Sequence, residues 1–425
     1  MSCIARMLSP LARWTLIAAA LVACQAPQTA PQTVPQTAAP TALSVATTFI
    51  TPSVSPTHTA TPLPTSTRTP IASPTPRPTP TPTFTPTPVP LPVRAVRLDF
   101  DNFKNSRAQV DVLEQKMQNA NVNLVALGAG RLDWSYFKWE GHDANWSSDV
   151  GDTGIDFLAQ DAARFSQWAK VDAVVDVFAP RYIATHPQSA AVSWLGKRST
   201  SLVSTTELVS GEFGNQLIEM LDYIAAHYPV DSISITELSY YTEGYGDDDK
   251  ATYKAYTGRA DWPRNPTGLV NIDDPSIGKW RSYEMGRFLE RAAATLHRYG
   301  KKLYMDVEVS WGKLELEATD KGQNYGVLLQ YADRLVVWDY FGLSSYKPDY
   351  TTAIAHYLNK YGQNRIIISV GLWAAGGGVL SPDALRQAMQ AGVKSEIPNL
   401  WITPSLYLSD QHWNVLADVW SLPVR

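Results

Sequence analysis

The sequence predicts a (β/α)8 barrel carried behind a long Pro/Thr-rich leader, and three observations predict it. From Val93 onward short apolar runs alternate with amphipathic helical runs, the alternation counts to eight pairs, and FDNFKNS follows the first run where an open doubly wound sheet would carry a Gly-rich phosphate loop. Strands separated by helices pair in parallel, and eight repeats let the sheet close on itself.

Taken in order, VRLDFD (96–101) is the first strand, 108–119 a helix and VNLVALG (122–128) the second strand. A Trp-rich insertion leads to a helix over 155–170 and to strand three, VDAVVDVF (171–178). The spacing of Leu217, Met220, Leu221 and Ile224 marks one apolar stripe of a helix over 212–227, before strand four at 231–238. A long insertion precedes a helix over 278–299 and strand five, KLYMDVEVS (302–310). A short helix over 325–332 and strand six, RLVVWDYF (334–341), come next. The last units are 351–361 with strand seven, RIIISVGLW (365–373), 382–391 with strand eight (400–407), and a final helix from Gln411.

The first 93 residues read differently. Arg6 and Arg13 precede an apolar run from Trp14 to Ala23, too short for a comfortable membrane span, so residues 1–24 are expected to be a secretory signal. Leu21, Val22, Ala23 and Cys24 resemble a bacterial lipobox, which implies cleavage before Cys24 and a lipid anchor on its thiol; the alternative is an ordinary cleaved signal. Residues 25–93 are Pro, Thr, Ala and Ser with little apolar surface to bury, the composition of a solvated polyproline tether. Fully extended at about 3.1 Å per residue, it would hold a barrel over 94–425 on the order of 200 Å from a membrane. Cys3 and Cys24 are the only cysteines, so the exported domain folds without disulfides and relies on a large core. The net charge of −4 and the lack of any basic run argue against nucleic acid as a partner.

The chain is organised around DSISITELSYYTEGYG (231–246), where an alternating strand ends in Glu237 and runs into tyrosines and more acids. Side-chain parity sorts the acids. With apolar residues facing the helices, Asp99 and Asp101 of strand one, Asp176 of strand three, and Asp306 and Glu308 of strand five point inward. Strand four is awkward, because Ile233 and Ile235 should face the helices and strict alternation sends Glu237 with them. A charge under the helix layer is costly, so a bulge or a strand end is expected to turn Glu237 into the mouth. Glycoside hydrolysis needs one protonated acid for the leaving oxygen and a second carboxylate, about 5 Å away in retaining enzymes and about 6.5–9.5 Å in inverting ones. The candidates are Glu237, Glu308, Asp306 and Asp339, with Asp101 and Asp176 as substrate contacts. For any one of them a solvated carboxylate or a partner of Arg97 or Arg181 is the plainer role.

Strand six, VVWDYFG (336–342), resembles the signature of chitinase-type glycoside hydrolases, with Trp338 in the place of a Tyr, and RIIISVGLW resembles that clan's strand seven. Strand four shares the opening of the family's acidic motif, but Ser234 and Thr236 stand where its aspartates would be, and Glu237 comes one place early. The resemblance implies a glycoside-hydrolase-like barrel without implying chitinase activity. SVGLWAAGGG offers no strand-seven Glu, against the other large group of barrel glycosidases.

Flat rings are the second signal, since sugar C–H faces stack on aromatic planes. Trp134 and Trp139 follow strand two, Tyr240 and Tyr241 follow strand four, and Trp311, Trp338, Tyr340 and Trp373 end strands five to seven. Asp247, Asp248 and Asp249, with Asp273 and Asp274, could ligate Ca²⁺ or form a solvated acidic turn. No HExxH, paired histidines or GxSxG elbow occurs, and no cofactor or metal is expected. The expected function is hydrolysis of an extracellular or cell-wall polysaccharide by a lipid-anchored, surface-displayed enzyme; the alternative is a barrel that binds carbohydrate without cutting it.

Overall fold

The computed structural model describes residues 91–103 and 107–421. The signal, Cys24 and nearly all of the Pro/Thr-rich segment lie outside the described residues. Eight parallel strands form the sheet: β1 Arg94–Leu98, β2 Leu124–Arg131, β3 Lys170–Asp176, β4 Ser232–Thr236, β5 Lys302–Val307, β6 Arg334–Asp339, β7 Ile366–Gly371 and β8 Leu400–Thr403. Each pairs with its sequence neighbour, β1 pairs with both β2 and β8, and the barrel is closed. The main helices between them are α1 Arg107–Asn119, α2 Phe157–Phe165, α3 Glu212–His227, α4 Pro275–His297, the single turn α5 Tyr325–Leu328, α6 Tyr350–Leu358, α7 Pro382–Val393 and α8 Asp410–Trp420.

Two apolar layers follow from strand parity. Outward residues such as Val96, Leu98, Ile233, Ile235, Leu335 and Val337 pack against helix residues including Leu217, Leu221 and Leu416 in the main core. Inward residues Ala95, Leu124, Ala126, Val174, Tyr304, Val336, Ile367 and Trp401 plug the lower barrel. Burying one such Leu, Ile or Val contributes about 1.5–3 kcal/mol, so a disulfide-free domain of this size is self-sufficient. Val93, which the sequence assigns to the tether, is already part of the plug, and its N–H donates to Asn399 Oδ1 at 2.8 Å.

The loops at the carboxyl ends of the strands are unequal. Residues 177–211 after β3 and 237–274 after β4 hold an antiparallel hairpin, Ala190–Val192 with Arg198–Val203, and a helix, Asp247–Thr257. Tyr245, Tyr253 and Trp262 of the second insertion form a small core with Ile277 and Trp280 of α4, and Trp194 of the first insertion packs against it. The acids at 247–249 form the first turn of that helix, where negative charge suits the helix dipole. Asp248 accepts from Ser204 Oγ at 2.5 Å and Asp249 from the Thr206 N–H at 3.0 Å, which ties the two insertions together. Asp274 caps α4 by accepting from the Ser276 N–H. Among the described residues no group of three or more His, Cys, Asp or Glu is arranged to hold a metal ion. No described helix is long and apolar enough to cross a membrane.

Candidate active site

Above the apolar plug the inward positions turn polar. Parity that places Ala95, Val174, Tyr304, Val336 and Trp401 on the axis places Arg97, Asp176, Asp306, Trp338 and Thr403 one step higher, toward the mouth. Glu237 joins them by a backbone device. β4 stops at Thr236, and Glu237 takes a left-handed conformation with φ of 63°. For a residue with a Cβ that costs about 1–2 kcal/mol, and it turns the carboxyl away from the helix layer. The segment is pinned just after the turn: Gln323 Nε2 donates to the Leu238 carbonyl at 2.8 Å, and the Tyr240 N–H donates to the Lys321 carbonyl at 3.0 Å.

The electrostatics place Glu237 at the centre of an acidic cluster. Burial, then the neighbouring Asp176 carboxylate, push its carboxyl up to about 8, with Asp306 and Glu308 adding and Arg97 opposing. Asp176 is raised to about 6, chiefly by burial; the Phe178 N–H, at 2.8 Å from Oδ1, and the Arg131 and Arg97 guanidiniums favour its ionised form. Asp306 is fully enclosed and raised by burial, opposed by Arg97 and by the polar atoms of Thr236 and Trp338. Asp172 lies below, accepts from Ser232 Oγ at 2.5 Å, and is pushed up to about 7 by burial. Burial works against the Arg97 charge, and Asp99, Asp306, Tyr340 and Glu237 more than offset it. A carboxyl held protonated at neutral pH beside one that ionises first is the pairing acid–base catalysis requires.

Glu308 stands at the edge of this cluster, its carboxylate engaged by Lys321 in an ion pair and by Ser239 Oγ at 2.8 Å. It is therefore a less available partner for Glu237 than Asp176, which the sequence assigned only to substrate contact.

Other expectations need correction. Asp339 does not reach the mouth. Because Val336 and Trp338 face the axis, Asp339 faces the helices, where it is fully buried, accepts from Thr351 Oγ1 of α6 at 2.5 Å and is pushed up to about 7 by burial. Asp101 falls in a helical turn, Phe100–Phe103, beyond the end of β1, and its side chain is outside the described part. Trp139 is buried and stacks on His142, with centroids 3.7 Å apart. Tyr240 is buried with its hydroxyl donating to the Val203 carbonyl at 2.9 Å. Both rings are loop anchors, spent on holding insertions in place.

The remaining rings are half-buried. Trp134 packs edge-on against Phe100 with the Arg131 guanidinium 5.7 Å from its centroid, and Tyr241 lies on the loop after β4. Trp311 stacks with Tyr346 at 5.2 Å. Trp338 and Tyr340 stack nearly parallel at 5.1 Å, Trp373 meets Tyr340 at 5.1 Å, and Tyr407 stands edge-on to Trp373 at 6.5 Å. Sequence reasoning missed two of these residues. Arg97 was legible, since the parity that turns Asp99 inward turns Arg97 inward as well. Tyr407 gave no signal beyond its place at the end of strand eight.

No protein-family model matches the sequence, and no curated protein matches it. Solved structures do match in three dimensions. The glycoside hydrolase domain of PgaB (BpsB) from Bordetella bronchiseptica aligns over 79% of this chain and 100% of its own, at 15% identity and a TM-score of 0.62. The catalytic domain of the β-amylase from Paenibacillus polymyxa aligns over 76% of this chain and 96% of its own, at 12% identity and a TM-score of 0.53. A chitinase from Chromobacterium violaceum aligns over 78% and 100%, at 10% identity and a TM-score of 0.47, too loose to bear on activity. At these identities the likeness is one of fold: the chain is a closed (β/α)8 barrel.

Proposed function

We propose that this protein is a glycoside hydrolase acting on an extracellular or cell-wall polysaccharide, with Glu237 as the proton donor and Asp176 as the second carboxylate. Glu237 passes its proton to the glycosidic oxygen as the bond to the anomeric carbon breaks. Asp176 takes the proton of the water that attacks that carbon, or attacks it directly and is released by water in a second step. Asp306 stands beside Glu237 and Asp176 at the reacting centre, and Arg97 favours its ionised form against the effect of burial. The observation that carries this reading is the left-handed turn at Glu237, which brings a carboxyl raised to about 8 against one raised to about 6. A position beyond the membrane, held by a lipid on Cys24, belongs to the same proposal and rests on the lipobox-like residues 21–24.

The test is reducing-end release from a panel of soluble polysaccharides by the wild type, Glu237→Gln, Asp176→Asn and Glu308→Gln. Turnover in the wild type, lost in the first two variants and retained in the third, is expected. Turnover that survives Glu237→Gln contradicts the assignment, and binding without turnover by the wild type leaves a carbohydrate-binding barrel instead. Cys24→Ala is expected to move the protein from the membrane fraction to the medium.

A further inference from the structure

The seam between β4 and β5 parts before it reaches the mouth. Its backbone ladder pairs Ser232 through Ile235 with Lys302 through Met305 and goes no farther. Glu237 stands two residues beyond the last pair on one strand, and Glu308 three residues beyond it on the other. Strands that splay in this way leave a carbonyl on one side and an N–H on the other without a rung, and burying either unpaired is costly.

One side chain fills the gap. Gln323, only 2% exposed, accepts from the Glu308 N–H at Oε1 over 2.8 Å and donates from Nε2 to the Leu238 carbonyl over 2.8 Å. Its partners fix which way the amide points, because an N–H can meet only the oxygen and a carbonyl only the nitrogen. The planar amide takes the place of the missing rung, joining the strand that ends in Glu237 to the strand that ends in Glu308. Asparagine carries the same amide one methylene short of the reach, glutamate presents an oxygen where the Leu238 carbonyl needs a donor, and methionine fills the space with neither bond.

Gln323 is itself held at its root. Its N–H donates to the Ala318 carbonyl at 2.9 Å, and the turn between them ends in Gly322, with φ of 90°. A Cβ on Gly322 would stand 2.8 Å from Met285 Cε and 2.9 Å from Arg281 Cβ, so the turn lies close against α4. The Glu308 carbonyl accepts from the Tyr325 hydroxyl, which holds the far side of that residue. An amide braced at its base passes position on to what it touches.

We infer that Gln323 is a positioning residue of the acid–base site: its amide sets the width of the β4–β5 seam and so keeps Glu237 in its left-handed turn, facing the other carboxylates. This rests on the hydrolase reading and adds to it a residue that acts only through the backbones of Leu238 and Glu308.

The experiment compares Gln323→Met and Gln323→Glu with Trp139→Ala, which empties a buried site away from the seam. Two quantities are read well below each variant's thermal midpoint: kcat and KM on the panel polysaccharide that the wild type cuts fastest, and the carbon-13 titration of the Glu237 carboxyl. Both Gln323 variants are expected to lose about 10–100-fold in kcat with KM within about twofold of the wild type, and to titrate Glu237 at a lower pH, as a carboxyl freed from the turn regains water. Trp139→Ala should change neither. Near-ultraviolet circular dichroism reports whether each barrel is intact, and Gln323→Glu, which keeps the Glu308 bond, carries the test alone if Gln323→Met does not fold. Unchanged kcat and an unmoved midpoint in intact Gln323 variants overturn the positioning role and leave the hydrolase reading in place. An equal fall in kcat in Trp139→Ala makes the effect one of stability and overturns it too. The titration needs no turnover, so a midpoint that moves in the Gln323 variants of a protein that cuts none of the panel keeps the brace and removes the hydrolase reading.

Discussion

The two halves of the barrel mouth are built from opposite materials. The β3–β5 half carries Asp176, Glu237, Asp306 and Glu308 under long, internally packed insertions; the β6–β8 half carries Trp338, Tyr340 and Trp373 under short loops. Acids need walls, because exclusion of water is the largest of the causes, with the neighbouring carboxylates, that raise a carboxyl to about 8 and keep a proton on it at neutral pH. Rings need access, because a stacking face covered by protein has nothing to offer a sugar. Asp339, an acid on the aromatic half, is turned outward by strand parity, is buried under α6 and takes no part in the cluster.

The sharpest way to break the comparison is to remove the proton donor. Glu237→Gln is expected to lower turnover by about 10²–10⁴-fold, measured as reducing ends released, with the thermal midpoint little changed. Asp176→Asn should come next. Its activity should fall by at least about 10²-fold, and loss of the neighbouring negative charge should lower the titration midpoint of Glu237. Arg97→Met is expected to move that midpoint the other way, because Arg97 is the positive charge that opposes protonation of Glu237. In the wild type, activity that needs Asp176 ionised and Glu237 protonated should rise near pH 6 and fall near pH 8, giving a bell between the two.

The smallest effects on activity are expected at residues that share the chemistry of the site but not its place. Asp339→Asn should keep turnover within about threefold of the wild type and change the pH dependence of stability instead. Asp172, Asp176, Glu237, Asp249 and Asp339 are all raised by burial, to about 7, 6, 8, 7 and 7. The folded state then holds protons that the unfolded state has released, so stability is full below about pH 4 for these groups and is lost as pH rises through 6–8. Thermal midpoints recorded from pH 5 to 9 should decline, and Asp339→Asn should decline less steeply by its share, about 2–4 kcal/mol for one enclosed acid. Trp139→Ala should destabilise by about 3–5 kcal/mol, the cost of emptying a buried indole, and should affect activity only through the folded fraction.

Much of this architecture was legible before any coordinates. Eight strands and their helices fall where the alternation places them, and α3 covers the expected residues with Leu217, Met220, Leu221 and Ile224 buried. Parity along a strand is a local rule, so it also placed Asp176 and Asp306 correctly on the axis side. The same rule applied to strand six sends Asp339 outward, because Val336 and Trp338 take the axis side; its place at a strand end is the weaker signal. Glu237 was harder, because a left-handed φ at a glutamate leaves no mark in the sequence beyond the conflict it resolves. Trp139 and Tyr240 were misread for another reason. A ring on a loop looks the same in sequence whether it faces a ligand or anchors an insertion, and only the packing of residues distant in the chain, such as Val203 beside Tyr240, decides.

The most direct test is a carbon-13 titration of the Glu237 carboxyl, in the wild type and in Asp176→Asn. A midpoint near 8 that falls when Asp176 loses its charge is the expected result. A midpoint close to the ordinary glutamate value of 4.5, unmoved by Asp176→Asn, would contradict the assignment of Glu237 as the proton donor.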